Sequence, residues 1–66
     1  MTTVLERPTE LKQSKTALHV EDDLNVQALV KVYLKDAGFD VVQTDNFEDA
    51  EKHIRSQPFD VYVFDG

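Results

Sequence analysis

Two stretches, Ala17-Leu18-His19-Val20-Glu21-Asp22-Asp23 and Val61-Tyr62-Val63-Phe64-Asp65, decide how this chain folds. Each is a short, mostly apolar run that ends in acid. Runs of this kind read as strands buried on both faces, as in a parallel sheet covered by helices. Ligands of such sheets gather beyond the carboxyl ends of the strands. The acids of the two runs are therefore expected at one sheet edge, as a candidate cation site.

Between the two runs the pattern changes period. From Leu24, the residues Val26, Leu29, Val30, Tyr33, Leu34 and Ala37 recur at helical spacing, with Gln27, Lys31, Lys35 and Asp36 on the opposite side. Asp22, Asp23 or Asn25 is placed to cap the start of this helix, and Gly38 stands where a left-handed C-terminal residue belongs. Phe39 to Gln43 reads as a second strand around Val41-Val42. A shorter helix follows, with Phe47, Ala50 and Ile54 on one face. Its cap is either Asp45, which forms a capping box with Glu48, or Asn46. Pro58 ends it and biases Gln57 towards an extended backbone. Asp60 to Phe64 is the third strand. Residues 1–15 are polar, contain Pro8 and lack a sustained period, so they read as a disordered leader before a folded unit at 16–66.

The order is thus βαβαβ, an α/β class chain in which right-handed crossovers nearly dictate the topology. The 66 residues allow one small domain of marginal stability. Cysteine is absent, which excludes a disulfide scaffold and thiolate metal sites and fits a reducing cytoplasm. No apolar stretch is long enough to span a bilayer, and no signal-peptide core opens the chain. The formal net charge is −6, and residues 16–66 hold 4 basic against 11 acidic groups, a body of −7. Such a surface repels phosphate backbones and argues against direct nucleic-acid binding. Most of the acids, including Asp36, Asp40, Glu48, Asp49, Glu51 and Asp60, read as solvated surface. The chain stops one residue past Asp65, and the third strand has no expected neighbour on its far side. The expectation is the front half of a larger fold, with an exposed strand edge prone to self-association.

With these pieces in order, Ala17 to Gly66 resembles the first half of a response-regulator receiver domain. The resemblance rests on Leu18-His19-Val20-Glu21-Asp22-Asp23, on Ala37-Gly38-Phe39 closing the helix, on Val41-Val42, and on Pro58-Phe59-Asp60-Val61-Tyr62-Val63-Phe64-Asp65. It implies a flavodoxin-like, doubly wound parallel sheet in which these three strands lie in order 2-1-3. It also implies a function in two-component phosphorelay signal transduction, as a phosphoacceptor rather than an enzyme. Asp65 would accept a phosphoryl group from the phosphohistidine of a sensor histidine kinase or a histidine phosphotransfer protein. Mg2+ (or Mn2+) would be held by Glu21, Asp22 and Asp65, with Asp22 ligating directly and Glu21 through water. The Ser or Thr that ends the family's fourth strand and the Lys that ends its fifth have no counterpart in this chain, so phosphoryl uptake is expected to be weak.

The chemistry is consistent with that implication. A carboxylate attacks an anionic phosphoryl donor only when charge is neutralised. Two carboxylates about 5 Å apart at an effective dielectric of 20 repel by about 3 kcal/mol, enough to move a pKa by about two units. A cation reverses the sign. The oxygen donors suit Mg2+ or Mn2+, and the free N–H groups at the nearby helix start would favour phosphate. Asp23 reads as a helix cap rather than a ligand. His19 reads as a partly buried, hydrogen-bonded imidazole, His53 as solvent-facing, Tyr33 and Phe47 as core packing, and Tyr62 as filling a sheet face.

Two other classes share these features. The Toprim fold also has a strand ending in Glu and a later strand ending Asp-x-Asp, with Mg2+ used for chemistry on nucleic acid. Glu21-Asp22 and the compact spacing through Ala37-Gly38-Phe39 fit it less well. A receiver-like docking module that is never phosphorylated, with the first helix as its partner face, requires no chemistry.

Overall fold

The computed structural model describes residues 2–6 and 15–65. The elements are β1 (Thr2–Glu6), β2 (Lys15–Val20), α1 (Leu24–Asp36), β3 (Phe39–Thr44), α2 (Phe47–Ser56) and β4 (Val61–Asp65). The three strands expected from the sequence are β2, β3 and β4, and the α/β class holds. The sheet, however, is mixed and four-stranded, in the order β1-β4-β2-β3. β2 pairs in parallel with β3 and with β4, whereas β1 pairs antiparallel with β4.

β1 corrects two expectations. Thr2–Glu6, assigned to a disordered leader, is a strand whose register runs from Thr2 opposite Asp65 to Glu6 opposite Val61. It therefore covers the β4 edge that was expected to lie bare. The reason is complementary need: β4 presents unpaired backbone N–H and C=O groups along an apolar strand, and Thr-Thr-Val-Leu has the β-branched content to pair with it. Residues 7–14 of the expected leader, and Gly66, lie outside the described residues.

The helices cover opposite faces. Ala17, Leu34, Val61 and Val63 form one buried cluster, with Val30, Phe39 and Val41 packed against it on the α1 side. Leu18, Val20, Ala50 and Phe59 form the other on the α2 side, with Val42, Tyr62 and Phe64. The alternation Ala17/Leu18 and Val61/Tyr62 between clusters is the period of two that a strand imposes.

Local chemistry sets the helix ends. Asp23 caps α1, its side chain accepting from the N–H groups of Asn25 (2.8 Å) and Val26 (3.2 Å). Gly38 has φ +94°, the left-handed conformation expected of it. Asn46 rather than Asp45 caps α2: its Oδ1 accepts from Asp49 N (2.8 Å) and its Nδ2 donates to Asp49 Oδ2 (3.2 Å). Gln57, before Pro58, is extended.

The buried side of α1 differs from the expected stripe. Leu34 is buried and Val26, Gln27 and Val30 are half-buried, but Leu29 and Tyr33 are 73% and 74% exposed. Phe47 of α2 is also exposed and touches Phe64 at 5.7 Å between ring centroids, so neither Tyr33 nor Phe47 is core. Gln27 displaces the apolar stripe because its amide satisfies carbonyls at the end of the sheet, donating to Glu21 O (2.7 Å) and Thr44 O (3.3 Å). Asp60 is likewise buried rather than solvated, accepting from Thr16 N at 2.8 Å.

Candidate metal centre

The site lies where β2 and β4 end. Val20 is opposite Phe64 in the parallel register, so Glu21 and Asp65 stand one residue further on, on neighbouring strands. His19 lies two residues before Glu21 and therefore shares its face, the α1 side of the sheet. One ligand atom from each of His19, Glu21 and Asp65 lies within 4.8 Å of the others. Among the described residues this is the cluster that could hold a metal ion.

The sequence-derived ligand set was Glu21, Asp22 and Asp65. Glu21 and Asp65 are brought together; Asp22 is exposed and does not belong to the cluster. It follows Glu21 directly and enters the turn before α1, where alternation no longer aims it at β4. Its carboxyl crowds that of Glu21 and helps raise the Glu21 pKa. His19 takes the third position. A signal for it existed in the sequence: His19 and Glu21 are separated by two on a strand and must point the same way.

Each group is held by neighbours. Thr2 Oγ1 donates to Asp65 Oδ1 at 2.7 Å, so β1 supplies a side chain that orients the Asp65 carboxylate. Glu21 Oε2 accepts from Asp23 N at 3.2 Å, and Glu21 N donates to Thr44 O at 3.0 Å. The Asp23 N–H favours the charged form of Glu21. Loss of water on burial, the hydrogen bond with Asp22, and the charge and hydrogen bond of Asp65 outweigh it, and the Glu21 pKa is raised above the ordinary carboxylate value. Glu21 is only 5% exposed, so solvent does little to relieve the crowding.

His19 is completely buried. Its Nδ1 lies 3.1 Å from Gln43 Nε2, which also donates to Gln27 O at 2.7 Å. Its Nε2 has no hydrogen-bond partner. Burial holds the imidazole below its usual pKa, against the opposing pull of the Asp65 charge, so the neutral ring is favoured.

The start of α1 was expected to offer free N–H groups to an anion. Asp23 takes two of them, at Asn25 and Val26, and its own carbonyl accepts from Gln27 N. Asp23 thus engages the N–H groups of Asn25, Val26 and Gln27 at the helix start.

Comparison of the chain with protein-family models, with curated proteins and with solved structures gave no match. No helix among the described residues is long and apolar enough to cross a membrane.

Proposed function

We propose that this chain is the phosphoacceptor portion of a receiver-like domain, taking a phosphoryl group onto Asp65 from a phosphohistidine of a sensor kinase or histidine phosphotransfer protein. The observation that carries this reading is the meeting of Glu21 and Asp65 at the carboxyl ends of adjacent parallel strands. The parallel pairing of β2 with both β3 and β4, with helices on opposite faces, supports placing the three strands in the family's 2-1-3 order.

The donor set fits a divalent cation. Two crowded carboxylates, one with a raised pKa, are the state expected of a site that a cation would relieve, and their oxygens suit Mg2+ or Mn2+. Glu21 and Asp65 would hold the ion. When bound, the ion neutralises charge on the phosphoryl oxygens. The chain supplies the rest. The Thr2 hydroxyl orients Asp65, and an oxygen of that carboxylate attacks phosphorus as the P–N bond to the donor imidazole breaks, the proton remaining with the departing ring.

The test is exposure of the chain to a small-molecule phosphodonor with Mg2+, read by intact mass. A single phosphoryl adduct, labile to base and absent in Asp65→Asn, is expected; an adduct that persists in Asp65→Asn refutes the assignment. A second reading, a docking module that is not phosphorylated, is favoured by the exposure of Leu29, Val32 and Tyr33 on α1. It predicts no adduct at any Mg2+ concentration.

A further inference from the structure

We propose that His19 Nε2, together with Glu21 and Asp65, makes this a site for a borderline divalent transition-metal ion, of which Zn2+ and Co2+ are the natural probes. The proposal stands on the donor geometry and does not depend on phosphoryl transfer.

The first argument is the unpartnered nitrogen. Buried polar atoms are nearly always hydrogen-bonded, and each exception calls for a bound partner or a function. His19 is completely buried, its Nδ1 is engaged by Gln43, and Nε2 is without a partner. The nitrogen available to a ligand is therefore Nε2, on a ring that offers one of its nitrogens within 4.8 Å of an oxygen of each carboxylate. Atoms on a tetrahedral ion with bonds of about 2.1 Å stand about 3.4 Å apart. From separations within 4.8 Å, each donor needs to move inward by about 1 Å, which side-chain torsions supply.

The second argument is donor chemistry. Mg2+ takes oxygen ligands and retains its waters, whereas imidazole nitrogen suits Zn2+, Co2+ and Ni2+. One nitrogen and two carboxylates supply three ligands and leave a position for water or substrate. Neutral imidazole is the form that binds a metal.

Gln43 sets the condition for binding. Its Nε2 donates to Gln27 O, so as the amide stands it also donates to His19 Nδ1 and leaves the ring proton on Nε2. Ligation at Nε2 requires that proton on Nδ1. Gln43 must then turn its amide so that Oε1 accepts from Nδ1–H, giving up the bond to Gln27. It acts as a positioning residue that couples ion binding to the contact between α1 and β3.

The test uses the untagged full chain, with its fold followed by circular dichroism. Co2+ titration should give ligand-field bands at one ion per chain, displaced by Zn2+ but not by a tenfold excess of Mg2+. His19→Gln and Glu21→Gln should each weaken Zn2+ binding by at least about tenfold, while His53→Gln, at the only other histidine, leaves it unchanged. Should His19→Gln not fold, 15N spectra of the parent chain decide, since Zn2+ should move the His19 Nε2 resonance most. Equal affinity for Zn2+ in His19→Gln, loss of binding in His53→Gln, or an unmoved Nε2 resonance would overturn the proposal.

Discussion

Phe59 and Phe47 look interchangeable in sequence, each an aromatic residue beside turn residues, yet the fold treats them oppositely. Phe59 is 0% exposed and is the largest side chain completely buried, meeting Tyr62 edge-on at 5.8 Å and sharing a cluster with Leu18, Val20 and Ala50. Phe47 is 67% exposed and meets Phe64 at 5.7 Å. Truncating a buried Phe to Ala costs about 3–5 kcal/mol. A chain of 66 residues at about 0.05–0.15 kcal/mol per residue has about 3–10 kcal/mol to lose. Phe59→Ala should therefore remove between a third and all of the stability. Phe47→Ala forfeits one exposed ring contact, about 0.5–1.5 kcal/mol. Urea titrations followed by far-ultraviolet circular dichroism measure both, and Phe59→Leu keeps a transition within range if the alanine variant is unfolded. A loss in Phe47→Ala as large as that in Phe59→Ala would refute the placement of α2 against the sheet.

Two further outcomes follow from the site and the edge. Because the Glu21 pKa is raised in the fold, the native state binds that proton more readily than the unfolded chain, and stability from this group falls as pH rises through the window just above the usual carboxylate value. In chelator-treated protein, Glu21→Gln should melt above the parent at neutral pH, the gap closing as pH falls towards about 4. His19 acts in the opposite sense, losing stability on acidification below the ordinary imidazole pKa of 6.5, so the difference curve between variant and parent isolates Glu21. A chain shortened to begin at residue 7 uncovers the β4 edge and removes the Thr2 hydroxyl from Asp65. Sedimentation should show concentration-dependent self-association in the shortened chain and a monomer in the parent.

What could be read from the sequence was what neighbours in the chain decide. The strands around Leu18, Val41 and Val63, the Asp23 cap, the left-handed Gly38 and the stop at Pro58 are all set within a few residues. The cap of α2 was open between Asp45 and Asn46 because both side chains can accept from the first turn, and the hydrogen bond from Asp49 N to Asn46 Oδ1 settles it. What escaped the sequence depends on partners far along the chain. β1 pairs with residues some sixty positions away, and Asp60 finds Thr16 across a separation of 44. The apolar stripe of α1 records which residues are greasy, not whether a layer exists to receive them; hence Leu29 and Tyr33 were assigned to a core that covers only Leu34 fully.

The candidate site divides along the same line. Glu21 and Asp65 were legible because a parallel sheet forces strand ends together whatever the details of the turns. Asp22, given as a ligand by the resemblance, lies outside the cluster because a strand leaving its sheet turns successive side chains to different sides. His19 was read as a partly buried, hydrogen-bonded imidazole; it is completely buried, with Nδ1 meeting Gln43 and Nε2 without a partner among the described residues. The polar residues on the α1 face, Gln27, Gln43 and His19, thus form one chain of contacts from helix to site. Gln43 bonds to the α1 backbone at Gln27 and to the ring that faces Glu21 and Asp65. On the proposal above, a cation placed between those carboxylates would act on the imidazole tautomer, the tautomer on the Gln43 amide, and the amide on its bond to α1, the helix whose outer face carries Leu29, Val32 and Tyr33.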